Sequence, residues 1–256
     1  MFVLPNYLLI IATTLLFSSP SWASIVDVSH AGSSQEDDSF SVSATISFDT
    51  KIGNVNQKSQ ETDLSTSYKK GLHQYIFLAE RDWGSFDGTT YSDSHFLHGR
   101  YRYNFWMDLD WELFLQEDRN DFRGLANRRL AGTGVRAKFE VEHLTSFIGI
   151  AVMKELLEYT DAIPIAEKNY EHDRFSNYLG IKWKWNETIN FFSSTYFQPL
   201  IDDWEDHKIS SRNGINVKIN DNLSLEFKAS VDFDSFPPVG IEPKDRRFTQ
   251  SLKITF

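Results

Sequence analysis

RFTQSLKITF, residues 247–256, alternates side chains that avoid water with side chains that seek it. Phe248, Leu252, Ile254 and Phe256 fall on one face of an extended chain, and Thr249, Ser251, Lys253 and Thr255 on the other, with Gln250 the single exception. A period of two is the signature of a strand whose two faces meet different surroundings. The pattern recurs upstream. LSLEFKASVDF, residues 223–233, keeps it without an error, as does FSVSATISF at 40–48. Leu179, Ile181, Trp183 and Trp185 alternate with Gly180, Lys182 and Lys184. Leu109, Trp111, Leu113 and Leu115 oppose Asp110, Glu112 and Gln116, while Tyr101, Tyr103 and Phe105 oppose Arg100, Arg102 and Asn104. Weaker versions lie near 61–68, 72–81, 128–139, 144–155, 189–198 and 209–219, for about twelve strands in all.

The connections alternate in length. Short turns are expected at Lys69-Lys70-Gly71, Trp106-Met107-Asp108, Glu142-His143, Asn186-Glu187 and Asn220-Asp221-Asn222. Their Gly, Asn and Asp residues tolerate the backbone angles of tight hairpins. Longer links are expected at 81–90, 117–127, 156–173, 199–208 and 234–246, with a Gly53-Asn54 turn in the first hairpin. Trp111, Trp183, Trp185, Tyr103 and Phe105 gather near the short-turn ends, where an interfacial aromatic girdle belongs. An even number of strands of about ten residues, tilted near 45° and rising roughly 24 Å, matches a transmembrane antiparallel up-and-down β-barrel of about 12 strands. A soluble barrel with an apolar interior would share the period but leave the aromatic ends and the terminal Phe256 unexplained.

The other end of the chain agrees. Leu8 to Phe17 is a short apolar stretch followed by Ser21-Trp22-Ala23, so residues 1–23 read as a cleaved secretory signal and 24–38 as a polar leader before a barrel at 39–256. No Lys or Arg follows Met1 in the n-region. A mean hydropathy of -0.40 together with 15% aromatic residues suits a barrel, whose lipid face takes only alternate residues. The chain has no Cys, so strand pairing and burial must hold it together. The net charge of -10 argues against nucleic acid as a partner, since binding to phosphate needs a basic face.

The segment LDWELFLQEDRNDFRGLANRRLAGTGVRAKF at 109–139, the Gly53-Asn54 turn and the RFTQSLKITF ending resemble the YdiY-like family of salt-induced outer-membrane proteins. The resemblance covers most of residues 39–256 and implies a bacterial outer-membrane location. It carries no reaction, ligand or catalytic residue with it. Its most particular part runs from Asp118 through Arg128 to Gly132 and Gly134, where glycines on the inward register are expected to let a long polar side chain cross.

Function is sought in the lumen. The inward registers hold Arg100, Arg102, Arg128, Arg136, Lys138, Arg174, Lys182, Lys184, Arg212, Lys218, Lys228 and Lys253, against Asp49, Glu61, Asp63, Asp110, Glu112, Asp118, Glu226 and Asp232. This basic surplus predicts a small channel for anions or acidic solutes, resembling the monomeric acidic-oligosaccharide channels of similar strand number. Opposite charges at such density could instead pair and close the lumen into a structural envelope barrel. Acidic links such as Asp202-Asp203-Trp204-Glu205-Asp206-His207 read either as a solvated hydrophilic rim or, functionally, as carboxylates bridged by divalent cations to lipopolysaccharide phosphates. Outer-membrane lipid and, through the terminal strand and Phe256, the barrel-assembly machinery are the other expected partners. An enzyme would need a hydroxyl and a His base, for which Ser92-Asp93-Ser94-His95 and His98 are the nearest set as a lipid hydrolase. His73, His143, His172 and His207 lack metal-ligand spacing, and neither metal nor cofactor is expected.

Overall fold

The protein's structure, a computed structural model, describes residues 38–51, 57–120, 124–161 and 169–255. The signal and leader, the Gly53-Asn54 turn and Phe256 lie outside them. Twelve strands follow one another: β1 (Ser39–Lys51), β2 (Gln57–Lys70), β3 (His73–Phe86), β4 (Thr89–Trp106), β5 (Leu109–Asn120) and β6 (Leu125–Val141). The second half comprises β7 (Leu144–Tyr159), β8 (Asn169–Lys184), β9 (Ile189–Pro199), β10 (His207–Lys218), β11 (Leu223–Asp234) and β12 (Lys244–Thr255). Each pairs antiparallel with its sequence neighbours, and β12 returns to β1 to close the barrel.

Burial runs opposite to that of a water-soluble protein. Leu113, Leu115, Ile148, Ile150, Val152, Leu156 and Leu179 are exposed, whereas Arg102, Glu112, Glu155 and Arg174 are buried. A closed sheet with an apolar outer wall and a charged core belongs in lipid, because closure satisfies every strand edge and water would not tolerate so large an apolar belt. The chain is an outer-membrane β-barrel. Trp183 and Trp185 pack at 4.9 Å on the outer wall near the short-turn end, which is the periplasmic end in bacterial barrels.

The turns follow local chemistry. Asn186 Oδ1 accepts the backbone N–H groups of Thr188 and Ile189, and Asn220 Oδ1 those of Asn222 and Leu223. The long link expected at 81–90 is not there. Asp87 and Gly88, with φ of 46° and 82° respectively, form a two-residue hairpin turn, and strand structure continues on both sides. An Asp-Gly pair fits the twist that joins two strands directly, and this outweighed the polar residues around it. The remaining long links are also trimmed, since β7 runs on to Tyr159 and β8 starts at Asn169.

Closure is the least paired part of the wall. β1 and β12 are in register only from Ser43–Thr255 to Ile46–Leu252 among the described residues. Above that ladder the Ser47 and Ser251 hydroxyls meet at 2.8 Å.

Candidate functional site

Large inward side chains fill the lumen along β4 to β9. Glu112 accepts from Arg102 Nε at 2.7 Å, from Arg100 Nη1 at 3.1 Å and from the Tyr178 hydroxyl at 2.8 Å. Tyr178 reaches it by lying flat across Gly149, where a Cβ would come within 2.1 Å of the ring. Arg136 stacks on Phe147 at 3.9 Å and donates to Asp110 at 2.5 Å. Nearer the external end, Glu155 accepts from Arg128 Nε and Arg174 Nε, each at 2.6 Å. Arg174 also holds Asp206 of the link 200–206 at 2.8 Å, so that acid is drawn inward. These charges are desolvated, and each is matched by a charged or hydrogen-bonding partner, as burial requires.

The other side of the lumen is lined by small residues. Inward positions on β1 and β12 include Ser41, Ser43, Thr45, Ser47, Thr249 and Ser251, with Arg247 and Lys253 the long exceptions on β12. Beside them one cavity of about 700 Å³ reaches from Glu142, His143, Lys182 and Lys184 at the short-turn end to Asp82, Asp232 and Arg247 toward the other. Long side chains span it over the small ones. Lys228 approaches Glu61 at 3.4 Å and Asp63 at 3.8 Å, and Arg247 joins Glu61 at 3.1 Å to Asp82 at 3.2 Å.

The residues expected in the lumen therefore divide. Arg100, Arg102, Asp110, Glu112, Arg128 and Arg136 belong to the filled half. Lys182, Lys184, Arg212, Glu226, Lys228 and Lys253 line the cavity. Arg212 pairs with Asp232 at 3.1 Å, and Lys253 lies 4.0 Å from Glu226. Lys138 pairs with Glu140 and Lys218 with Asp221, both toward the short-turn rim. The side chain of Asp49 lies outside the described set. Sequence reasoning missed the acids Glu80, Asp82 and Glu155 and the base Arg247, although all fall on the inward register of their strands. With them included, the cavity lining has no basic surplus. The five arginines at 100, 102, 128, 136 and 174, which supplied most of it, are locked in the filled half.

Two local expectations are corrected. It is the ring of Phe114, not a polar chain, that crosses Gly132, and Gly134 lies against Ala151 and the Ile150 carbonyl. Phe114 points inward because it occupies an even position between Glu112 and Gln116. His98 is no base for Ser94 here, since its Nδ1 meets Gln116 Oε1 at 3.2 Å and its Nε2 accepts from Arg100 Nε at 3.3 Å.

A family model described as "Protein of unknown function, DUF481" matches residues 44–256. The chain belongs to this family. Comparison of this DUF481 chain with curated proteins finds no match. Among solved structures it is similar to the NanC porin, at 10% identity and a TM-score of 0.47, over 85% of this chain and 98% of that one. It is similar to the KdgM porin at 10% identity and 0.47, over 85% and 99%. The translocator domain of the autotransporter NalP from Neisseria meningitidis follows at 11% and 0.44, over 87% and 89%.

Proposed function

We propose that this protein is a narrow outer-membrane channel whose solute path follows β1–β3 and β10–β12 and reaches β8 and β9 at the short-turn end, beside a filled part of the lumen that conducts nothing. The observation that carries this reading is one continuous cavity of about 700 Å³ lined by residues toward both ends of the barrel. Charge is distributed along it rather than summed. Lys182, Lys184 and Lys253 line the short-turn part, where they give the anion or acidic-solute preference read from the sequence its remaining support. Glu61, Asp63, Glu80 and Asp82 oppose it further along. The net preference for anions is therefore weak. Single-channel recording of the purified protein in a planar bilayer under a salt gradient tests the reading: discrete steps with a small reversal potential support it. A silent bilayer with verified insertion refutes it in favour of the closed structural barrel, which the filled half supports.

Catalysis forms no part of this function. The outward face of β12, with Phe248, Leu252 and Ile254, is proposed to continue to Phe256 as the signal read by the barrel-assembly machinery. Exposed Asp202, Asp203 and Glu205 are proposed to meet lipopolysaccharide through divalent cations.

A further inference from the structure

The register of β2 and β3 creates an electrostatic conflict. Glu61 stands directly opposite Asp82, and Asp63 directly opposite Glu80, all four on the inward face. Carboxylates so placed have Cβ atoms about 5 Å apart and repel one another. At the first pair the chain supplies its own remedy. The Arg247 guanidinium touches both Glu61 and Asp82, at 3.1 and 3.2 Å.

At the second pair no cation touches both acids among the described residues. Lys228 comes no nearer Asp63 than 3.8 Å and is closer to Glu61. Arg212 is held by Asp232. Glu80 makes no hydrogen bond or ion pair among the described residues, and Asp63 Oδ1 is buried without a hydrogen-bond partner. The four inward acids of the two rungs share only the Lys228 ammonium and the Arg247 guanidinium among the described contacts, so the second rung carries a surplus of negative charge directed into the cavity. The wall beside them defines the rest. Phe96 is directly opposite Glu80 on β4, Leu78 is two residues along β3, and both line the same cavity.

We propose that the Asp63–Glu80 rung is a lumenal binding site for the cationic group of a small organic amine or guanidine, with the apolar body of the solute against Leu78 and Phe96. The site deepens the channel reading and rests on it, because the solute must reach the lumen. A bound ammonium replaces like-charge repulsion with charge-assisted hydrogen bonds, and the Phe96 ring offers it a π-face. Such a site makes the path selective for organic cations at this depth, opposite in sign to the lysines at the short-turn end.

Isothermal titration of the whole folded barrel with 2-phenylethylamine, and with 2-phenylethanol as its neutral counterpart, tests the site. The amine binds saturably, and the alcohol at least about tenfold more weakly, a difference of ~1.4 kcal/mol. Asp63→Asn/Glu80→Gln lowers amine affinity by about tenfold or more and leaves the alcohol unchanged. Removing two repelling charges does not cost the fold, and Glu80→Gln alone gives the same answer should the pair fail to insert. Equal affinity for amine and alcohol, undiminished amine binding by the variants, or no saturable binding each overturns the site. Binding without conductance in the bilayer refutes the channel and leaves the site. Conductance that 2-phenylethylamine fails to reduce refutes the site and leaves the channel.

Discussion

Glu112→Ala probes whether the filled half is a structural member. The native carboxylate is buried, and it satisfies two guanidinium groups and a hydroxyl, from Arg100, Arg102 and Tyr178. Truncation leaves Arg100 and Arg102 buried with reduced compensation, a change that costs about 3–5 kcal/mol when one partner of a buried pair is removed. The stranded Tyr178 hydroxyl adds about 1 kcal/mol. The Gln74 carbonyl, 3.3 Å from Arg102 Nη1, can recover only part of this. We therefore expect a loss of about 4 kcal/mol. Asp93→Ala is the matched control. Its ion pair with Arg81 is shorter than Arg100–Glu112, at 2.8 Å, yet the two side chains are 61% and 41% exposed, so the loss should stay below about 1 kcal/mol. Guanidinium titration of the barrel in lipid vesicles, followed by tryptophan fluorescence, measures both. Losses within about 1 kcal/mol of each other would refute the claim that burial, rather than distance, sets the strength of these pairs.

Gly149→Ala places a Cβ 2.1 Å from the Tyr178 ring, so the ring must leave Glu112; the same titration should show a loss of about 1–3 kcal/mol, and an unchanged midpoint would mean that the ring has another seat. Lys182→Glu/Lys184→Glu should move the reversal potential toward cations, whereas an unmoved potential would take the short-turn end off the conduction path. Because the chain has no Cys, Ser47→Cys/Ser251→Cys tests the closing seam alone. The double variant should oxidise to an internal cross-link that a non-reducing gel detects, and thiols that stay free would show that β1 and β12 do not meet there.

The fold was legible because period-two alternation survives almost intact in strands such as Leu223–Asp234, and because Asn and Gly mark the turns. It misled at residues 81–90, where polar composition suggested a loop and the Asp87-Gly88 geometry made a hairpin. The inward set was legible strand by strand, since register alone decides which face a side chain takes. Its pairing was not. Nothing local to β11 says that Lys228 will reach across β12 and β1 to Glu61 on β2, or that Arg174 will turn back to capture Asp206. Glu80 and Asp82 escaped notice because Ile76 and Leu78, on the same face, are apolar and blur the alternation of β3.

Side-chain volume, more than charge, sets where a path can run. Along β4–β9 the inward residues include bulky Arg, His, Phe and Tyr, and glycines at 132 and 149 make room for the rings of Phe114 and Tyr178 to lie flat across the neighbouring strand. Guanidinium forks suit that half because each can serve acids on more than one strand. Along β1 and β12 the serines and threonines are too short to meet anything across the lumen, so the space stays open and the longer Lys228 and Arg247 reach across it. Counting inward charges over the whole barrel therefore mixes two populations. Arginines that hold the filled half together contribute little to a passing ion, since their fields are already balanced by Glu112 and Glu155. In the proposed channel, selectivity falls to the few charges beside the small residues, among them the Asp63–Glu80 pair, to which Lys228 comes within 3.8 Å at Asp63.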